Sequence, residues 1–144
     1  MAHNPFVGAW RLVSFELRGS DGQVGYPLGQ DAMGYILYTE YGYMSVAMMS
    51  ANRLKFAAGD IGAGTDKEKA AAADTYVSYS GRYTIQGSKV VHHIEVSFFP
   101  NWVGADQERL FELDGNRLSL STPPILFSGR QQTAHLIWER VRTI

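Results

Sequence analysis

Apolar residues recur at every second position along this chain, in short runs broken by Gly, Asn, Asp or Pro. A period of two is that of a strand with one covered face. Eight such runs stand out, at 8–19, 34–40, 43–50, 81–85, 90–99, 106–113, 117–122 and 133–141, each rich in Val, Ile, Tyr, Phe or Thr. Residues 65–79 break the pattern. They open with Asp66-Lys67-Glu68-Lys69 and continue through four alanines, which predicts a helix with Thr65 or Asp66 as N-cap.

The connections alternate in length. Tight turns are predicted at Tyr41-Gly42, Gln86-Gly87-Ser88 and Asp114-Gly115-Asn116, where Gly, Asn and Asp supply positive φ. The other connections, 20–33, 51–80, 100–105 and 123–132, are longer. In an up-and-down meander alternate connections share an end. The tight turns then close a base, and the long segments decorate a mouth where binding residues tend to sit. The expected fold is all-β: an eight-stranded antiparallel up-and-down barrel, with one helix between the third and fourth strands, as a single domain over 1–144.

Strand parity assigns faces. Trp10, Leu12, Ser14 and Glu16 share one face of the first run, and Gln107, Arg109, Phe111 and Leu113 share one face of the sixth. On the last run Leu136, Trp138 and Arg140 lie together. With the first run rising from the base, all three strands are apolar low down, and the first and sixth turn polar toward the mouth. That gradient suits a cavity holding an oriented ligand. The fifth run has two readings. Plain burial turns His92, Ile94, Val96 and Phe98 inward. The polar gradient instead turns His93, Glu95 and Ser97 inward, beside Arg109, which a buried carboxylate would need as its partner. The second register is adopted, and a shift of one residue exchanges the two sets. Trp102, on the connection between these strands, either stacks on a ligand or pins its own loop. Tyr38 and Tyr83 complete the expected lining.

Composition narrows the chemistry. There is no cysteine, the formal net charge is -1, and charged residues make up 19% of the chain. Disulfides, thiolate metal sites and an electrostatic bias toward nucleic acid or an anionic membrane are thereby excluded. No apolar run reaches membrane-spanning length, and Met1-Ala2-His3-Asn4-Pro5 does not read as a signal peptide, so a cytoplasmic protein is expected. His92 and His93 point to opposite faces and cannot share an ion. No G-x-S-x-G or P-loop pattern occurs. Neither a metal nor a cofactor is expected, and the implied partner is a small molecule.

Gly8-Ala9-Trp10 on the first strand, with Arg140 at the end of the last, resembles the lipocalin or calycin signature. That resemblance implies a Trp packed across the base with the Arg lying over it, a structural cation–π closure whose roles Trp10 and Arg140 match, with Arg142 a lesser substitute; strand direction sets Trp138 near the same base. An ordered series resembles more narrowly the bacterial and fungal lipocalin-like domain family. It runs through Trp10-Arg11-Leu12-Val13-Ser14-Phe15-Glu16, Gly34-Tyr35-Ile36-Leu37-Tyr38, Tyr79-Ser80-Gly81-Arg82-Tyr83, His92-His93-Ile94-Glu95-Val96-Ser97, Pro100-Asn101-Trp102-Val103-Gly104 and Leu136-Ile137-Trp138-Glu139-Arg140-Val141. The expected function is binding of a small, largely apolar organic ligand in a cavity with a polar mouth. Some fungal members of that family sit in natural-product pathways, which implies an alternative: a cofactor-independent cyclase or isomerase. In it His93 and Glu95 would move a proton while Arg109 stabilises an enolate-like oxyanion.

Overall fold

Backbone hydrogen bonds follow the alternating runs. The computed structural model describes residues 3–142. The chain forms β1 (Gly8–Gly19), β2 (Val24–Gly25), β3 (Met33–Tyr38), β4 (Tyr43–Met49), α1 (Asp66–Asp74), β5 (Tyr76–Gln86), β6 (Lys89–Ser97), β7 (Asp106–Asp114), β8 (Arg117–Ser121), β9 (Ile125–Phe127) and β10 (Arg130–Arg140). A single 3-10 turn, Pro100–Trp102, separates β6 from β7. The strands pair in the order β2-β1-β3-β4-β5-β6-β7-β8-β10-β9, and β1 also pairs with β10. That last pairing closes β1, β3–β8 and β10 into an eight-stranded antiparallel barrel with no open edge in the ring. The short β2 and β9 extend β1 and β10 within two of the long connections at the mouth.

The base is closed by the segment before β1. Phe6 is wholly buried, its ring edge-on to Tyr38 and Phe111. The Trp10 indole donates to the Phe6 carbonyl at 2.9 Å. Above that indole, 4.2 Å from its centroid, lies the Arg140 guanidinium, which donates to the carbonyls of Val7 at 2.9 Å and Pro5 at 2.7 Å.

The helix is shorter than its sequence predicts. Thr65 is the N-cap of a capping box, its hydroxyl accepting from the Glu68 amide while the Glu68 carboxylate accepts from the Thr65 amide. The helix stops at Asp74, not at residue 79, and β5 begins at Tyr76, five residues before the expected Gly81. Past the alanines, Tyr76, Val77 and Tyr79 are strand formers that pair with Met49, Met48 and Val46. The Thr75 hydroxyl donates to the Ala71 carbonyl and ends the helical run.

Two bulges reset the parity of the wall. Leu12 pairs with Trp138 but Ser14 pairs with Ile137, so Val13 is the extra residue in β1. Ser80 pairs with Val96 but Gly81 pairs with Ile94, so Glu95 is the extra residue in β6. Opposite this second bulge the backbones come so close that a Cβ on Gly81 would fall on the His93 carbonyl. Gly81→Ala is therefore expected to cost about 1–3 kcal/mol, as overpacking does. Equilibrium unfolding in urea checks this, and a variant as stable as the parent would mean that the strands can part there freely.

Candidate ligand-binding cavity

Inside the barrel, toward the mouth, lies a cavity of about 490 Å³. Its walls are chiefly apolar: Phe15 and Leu17 from β1, Ile36 from β3, Met48 from β4, Val77 from β5 and Leu136 from β10. Trp138 lies on its floor, Trp102 and Phe99 on the loop that leaves β6, and Ala73 and Asp74 at its rim on α1. Polar groups gather on one side, where Tyr79, His92, Gln107 and Arg109 come together from β5, β6 and β7. The indole nitrogen of Trp138 and the hydroxyl of Ser97 are also buried, and among the described residues neither has a hydrogen-bond partner.

His92 is the centre of the polar side. It is 1% exposed and pairs with Tyr83 on β5 and Gln107 on β7. Its Nε2 lies 2.7 Å from the Tyr38 hydroxyl and its Nδ1 lies 2.7 Å from the Tyr79 hydroxyl. Burial first, then the positive charge of Arg109 and then His93, pushes the pKa of the ring down to about 3. Burial raises the pKa of both tyrosines, so ring and phenols are all uncharged at neutral pH. The Arg109 guanidinium donates to the Gln107 side-chain oxygen at 3.2 Å and to the Glu108 carbonyl at 2.9 Å.

The residues selected from sequence divide three ways. Trp102, Gln107 and Arg109 line the cavity. Tyr38 lies beneath it, bonded to His92, and Tyr83 is buried toward the base, donating to the Thr39 carbonyl and accepting from Asn4. Ser97 has the buried hydroxyl already described, but neither it nor Tyr38 nor Tyr83 lines the cavity. Ser14, Glu16, His93 and Glu95 are not in the cavity. The Val13 bulge turns Phe15 and Leu17 inward in place of Ser14 and Glu16, and Glu16 faces solvent in an ion pair with Arg18. In β6 Val90, Val91, His92 and Ile94 are buried, whereas His93 and Glu95 stand on the outer wall, so the polar-inside register is corrected at those two residues. The Glu95 side chain is 51% exposed, with Arg82 and not Arg109 as its nearest cation at 4.0 Å. His93 is held between Asp106 at 2.8 Å and Thr84 at 3.0 Å, a ladder joining three strands on the outside. Sequence reasoning missed His92 and Tyr79. The signal for His92 was present in the apolar set of even-numbered residues around it; that for Tyr79 was masked by reading its segment as helix.

Comparison with known proteins agrees with this architecture. Residues 7–141 match the profile of the lipocalin-like domain family. The 4'-hydroxy-3'-methoxypropiophenone carrier protein ppsC of Aspergillus oryzae is 39% identical over 87 residues, spanning 54% of this chain and 78% of that protein. A crystal structure of a lipocalin-like protein from Bacteroides uniformis superposes with a TM-score of 0.52 at 12% identity, covering 96% of this chain and all of that one. The fold is thus shared well beyond recognisable sequence. Matched over all but its ends, the chain belongs to the lipocalin-like domain family.

Proposed function

We propose that this protein is a carrier for a small, largely apolar organic molecule, of the size and kind of a substituted phenyl ketone. The observation that carries the reading is an apolar cavity of about 490 Å³ with its polar groups gathered on one wall. Cavities of roughly 300–1,000 Å³ with a few convergent polar groups are those that hold small ligands. The related Aspergillus oryzae protein is named as the carrier of a methoxylated hydroxypropiophenone, a molecule that fits these dimensions.

The cyclase or isomerase alternative loses its residues. His93 and Glu95 lie outside the barrel. His92 is held at both nitrogens, and burial leaves it a very weak base. The carboxylate on the lining, Asp74, is exposed at the rim. Such a cavity can polarise a bound carbonyl but offers no placed base to take a proton from it.

Titration calorimetry with 4'-hydroxypropiophenone tests the reading, and saturable one-to-one binding is expected. Val77 is a half-buried lining residue, so Val77→Trp should fill space that the ligand needs and weaken binding by at least about tenfold while the barrel stays folded. No saturation up to millimolar ligand, or equal binding by the filled variant, would contradict a carrier function for this cavity.

A further inference from the structure

The Tyr38–His92–Tyr79 line holds more hydrogens than it can use. A neutral imidazole carries one N–H and each phenol one O–H, so three hydrogens serve two bonds and one is spare. Two orders satisfy both bonds. In one, Tyr79 donates to Nδ1, Nε2–H donates to Tyr38, and the spare hydrogen sits on Tyr38. That tyrosine is 2% exposed, and among the described residues its hydroxyl has no partner other than His92. A buried donor left in this way is costly. In the other order Tyr38 donates to Nε2, Nδ1–H donates to the Tyr79 oxygen, and the spare hydrogen sits on Tyr79, at the cavity wall. Only this order strands no donor in the core.

The neighbours are donors too. Arg109 occupies the side-chain oxygen of Gln107, which leaves that amide its N–H groups for anything in the cavity. A guanidinium never accepts. The polar wall thus presents the hydroxyl hydrogen of Tyr79, the amide hydrogens of Gln107 and the free N–H groups of Arg109.

We infer that the cavity selects its ligand by an acceptor oxygen, such as a ketone carbonyl, which receives the spare hydrogen of Tyr79 and faces the donors of Gln107 and Arg109. Molecules of the same shape that carry an alkyl group or an ammonium at that point are disfavoured. This inference rests on the carrier reading for the site, but the direction of the hydrogen-bond line can be measured without any ligand.

Two measurements test it. In the ligand-free protein labelled with 15N-histidine, long-range proton–nitrogen correlation spectra should show His92 as the Nδ1–H tautomer; the Nε2–H tautomer would overturn the wiring. Calorimetry then compares 4'-hydroxypropiophenone, 4-propylphenol and 4-(1-aminopropyl)phenol, which share a ring, a phenol and a chain. The ketone should bind about tenfold tighter than the alkyl phenol, the worth of one good hydrogen bond, and the amine weakest. Tyr79→Phe should remove the ketone's advantage, bringing its affinity level with that of the alkyl phenol. Equal affinity of the wild-type protein for ketone and alkyl phenol, or tighter binding of the amine, refutes the selection even if the variant does not fold. Binding of none of the three defeats the carrier reading and the selectivity together, with the tautomer still deciding the wiring.

Discussion

Trp10→Ala is expected to lower the free energy of unfolding by about 3–5 kcal/mol in a denaturant titration, the range for large aromatic truncations in a core. The indole is fully buried beneath Arg140, and its N–H is spent on the Phe6 carbonyl. Removing it opens a void at the closed end of the barrel and takes away the aromatic face on which the guanidinium lies. Arg140 would still hold the Val7 and Pro5 carbonyls, so the segment before β1 stays tethered and the loss is chiefly one of packing. A loss of less than about 1 kcal/mol would be out of keeping with a packed aromatic at that place and would require the base to be built differently.

Acid should destabilise the protein through His92. Its pKa is pushed from the ordinary 6.5 down to about 3 in the folded state. Above about pH 6.5 the ring is neutral whether the chain is folded or not, and pH has no effect through this group. As pH falls below that value the unfolded chain takes up a proton that the folded one refuses. Folding stability is therefore lost progressively between about pH 6.5 and pH 3, by about 4–5 kcal/mol in all. Partly buried His135 shifts in the same direction, chiefly through burial, but its exposure makes its share smaller. The contrast is with His92→Gln, which keeps a polar group between the tyrosines and cannot titrate. Stability measured against pH should fall less steeply in the variant than in the parent across that window. Parallel profiles would mean that His92 is protonated in the folded barrel. The His92→Gln barrel should itself be weaker at neutral pH, because one tyrosine hydroxyl loses its partner.

Much of the barrel is legible in the pattern of the chain, because the period of two survives through nearly every strand and the turn residues mark the base. Parity is what misleads. Trp10 and Leu12 are covered at even positions, yet Phe15 and Leu17 are covered at odd ones, and the change of phase between them is the trace of the Val13 bulge. Extending the even phase puts Ser14 and Glu16 inside and manufactures a polar mouth on β1. That false gradient in turn favoured the wrong face of β6 at His93 and Glu95, where the simpler burial rule points to His92 and Ile94; past the Glu95 bulge that rule fails too, since Val96 is 68% exposed and the Ser97 hydroxyl is buried. Gln107 and Arg109 were legible because β7 has no bulge and its alternation runs unbroken. Tyr79 was hidden because four alanines followed by Asp74 carry helical propensity up to its doorstep, and only the pairing with Val46 shows that it belongs to the sheet.

From Ser50 to Thr75 no side chain is buried. Surface hydrogen bonds among its own residues fix its shape, Arg53 donating to the Ala72 carbonyl and the Thr75 hydroxyl, the Ala57 amide to Glu68 and the Ser50 amide to the Thr75 carbonyl, while the Arg53 guanidinium lies over the Tyr76 ring of β5 at 5.4 Å. Its end, Ala73 and Asp74, forms part of the cavity rim. Swinging this segment away uncovers no fully buried side chain of its own and so costs less than loosening a strand of the ring. The contacts that hold the barrel together and those that hold this part of its doorway in place are separate sets. Evolution can therefore lengthen, shorten or recharge the doorway, and with it the range of admitted molecules and their residence times, while the barrel beneath keeps its melting point.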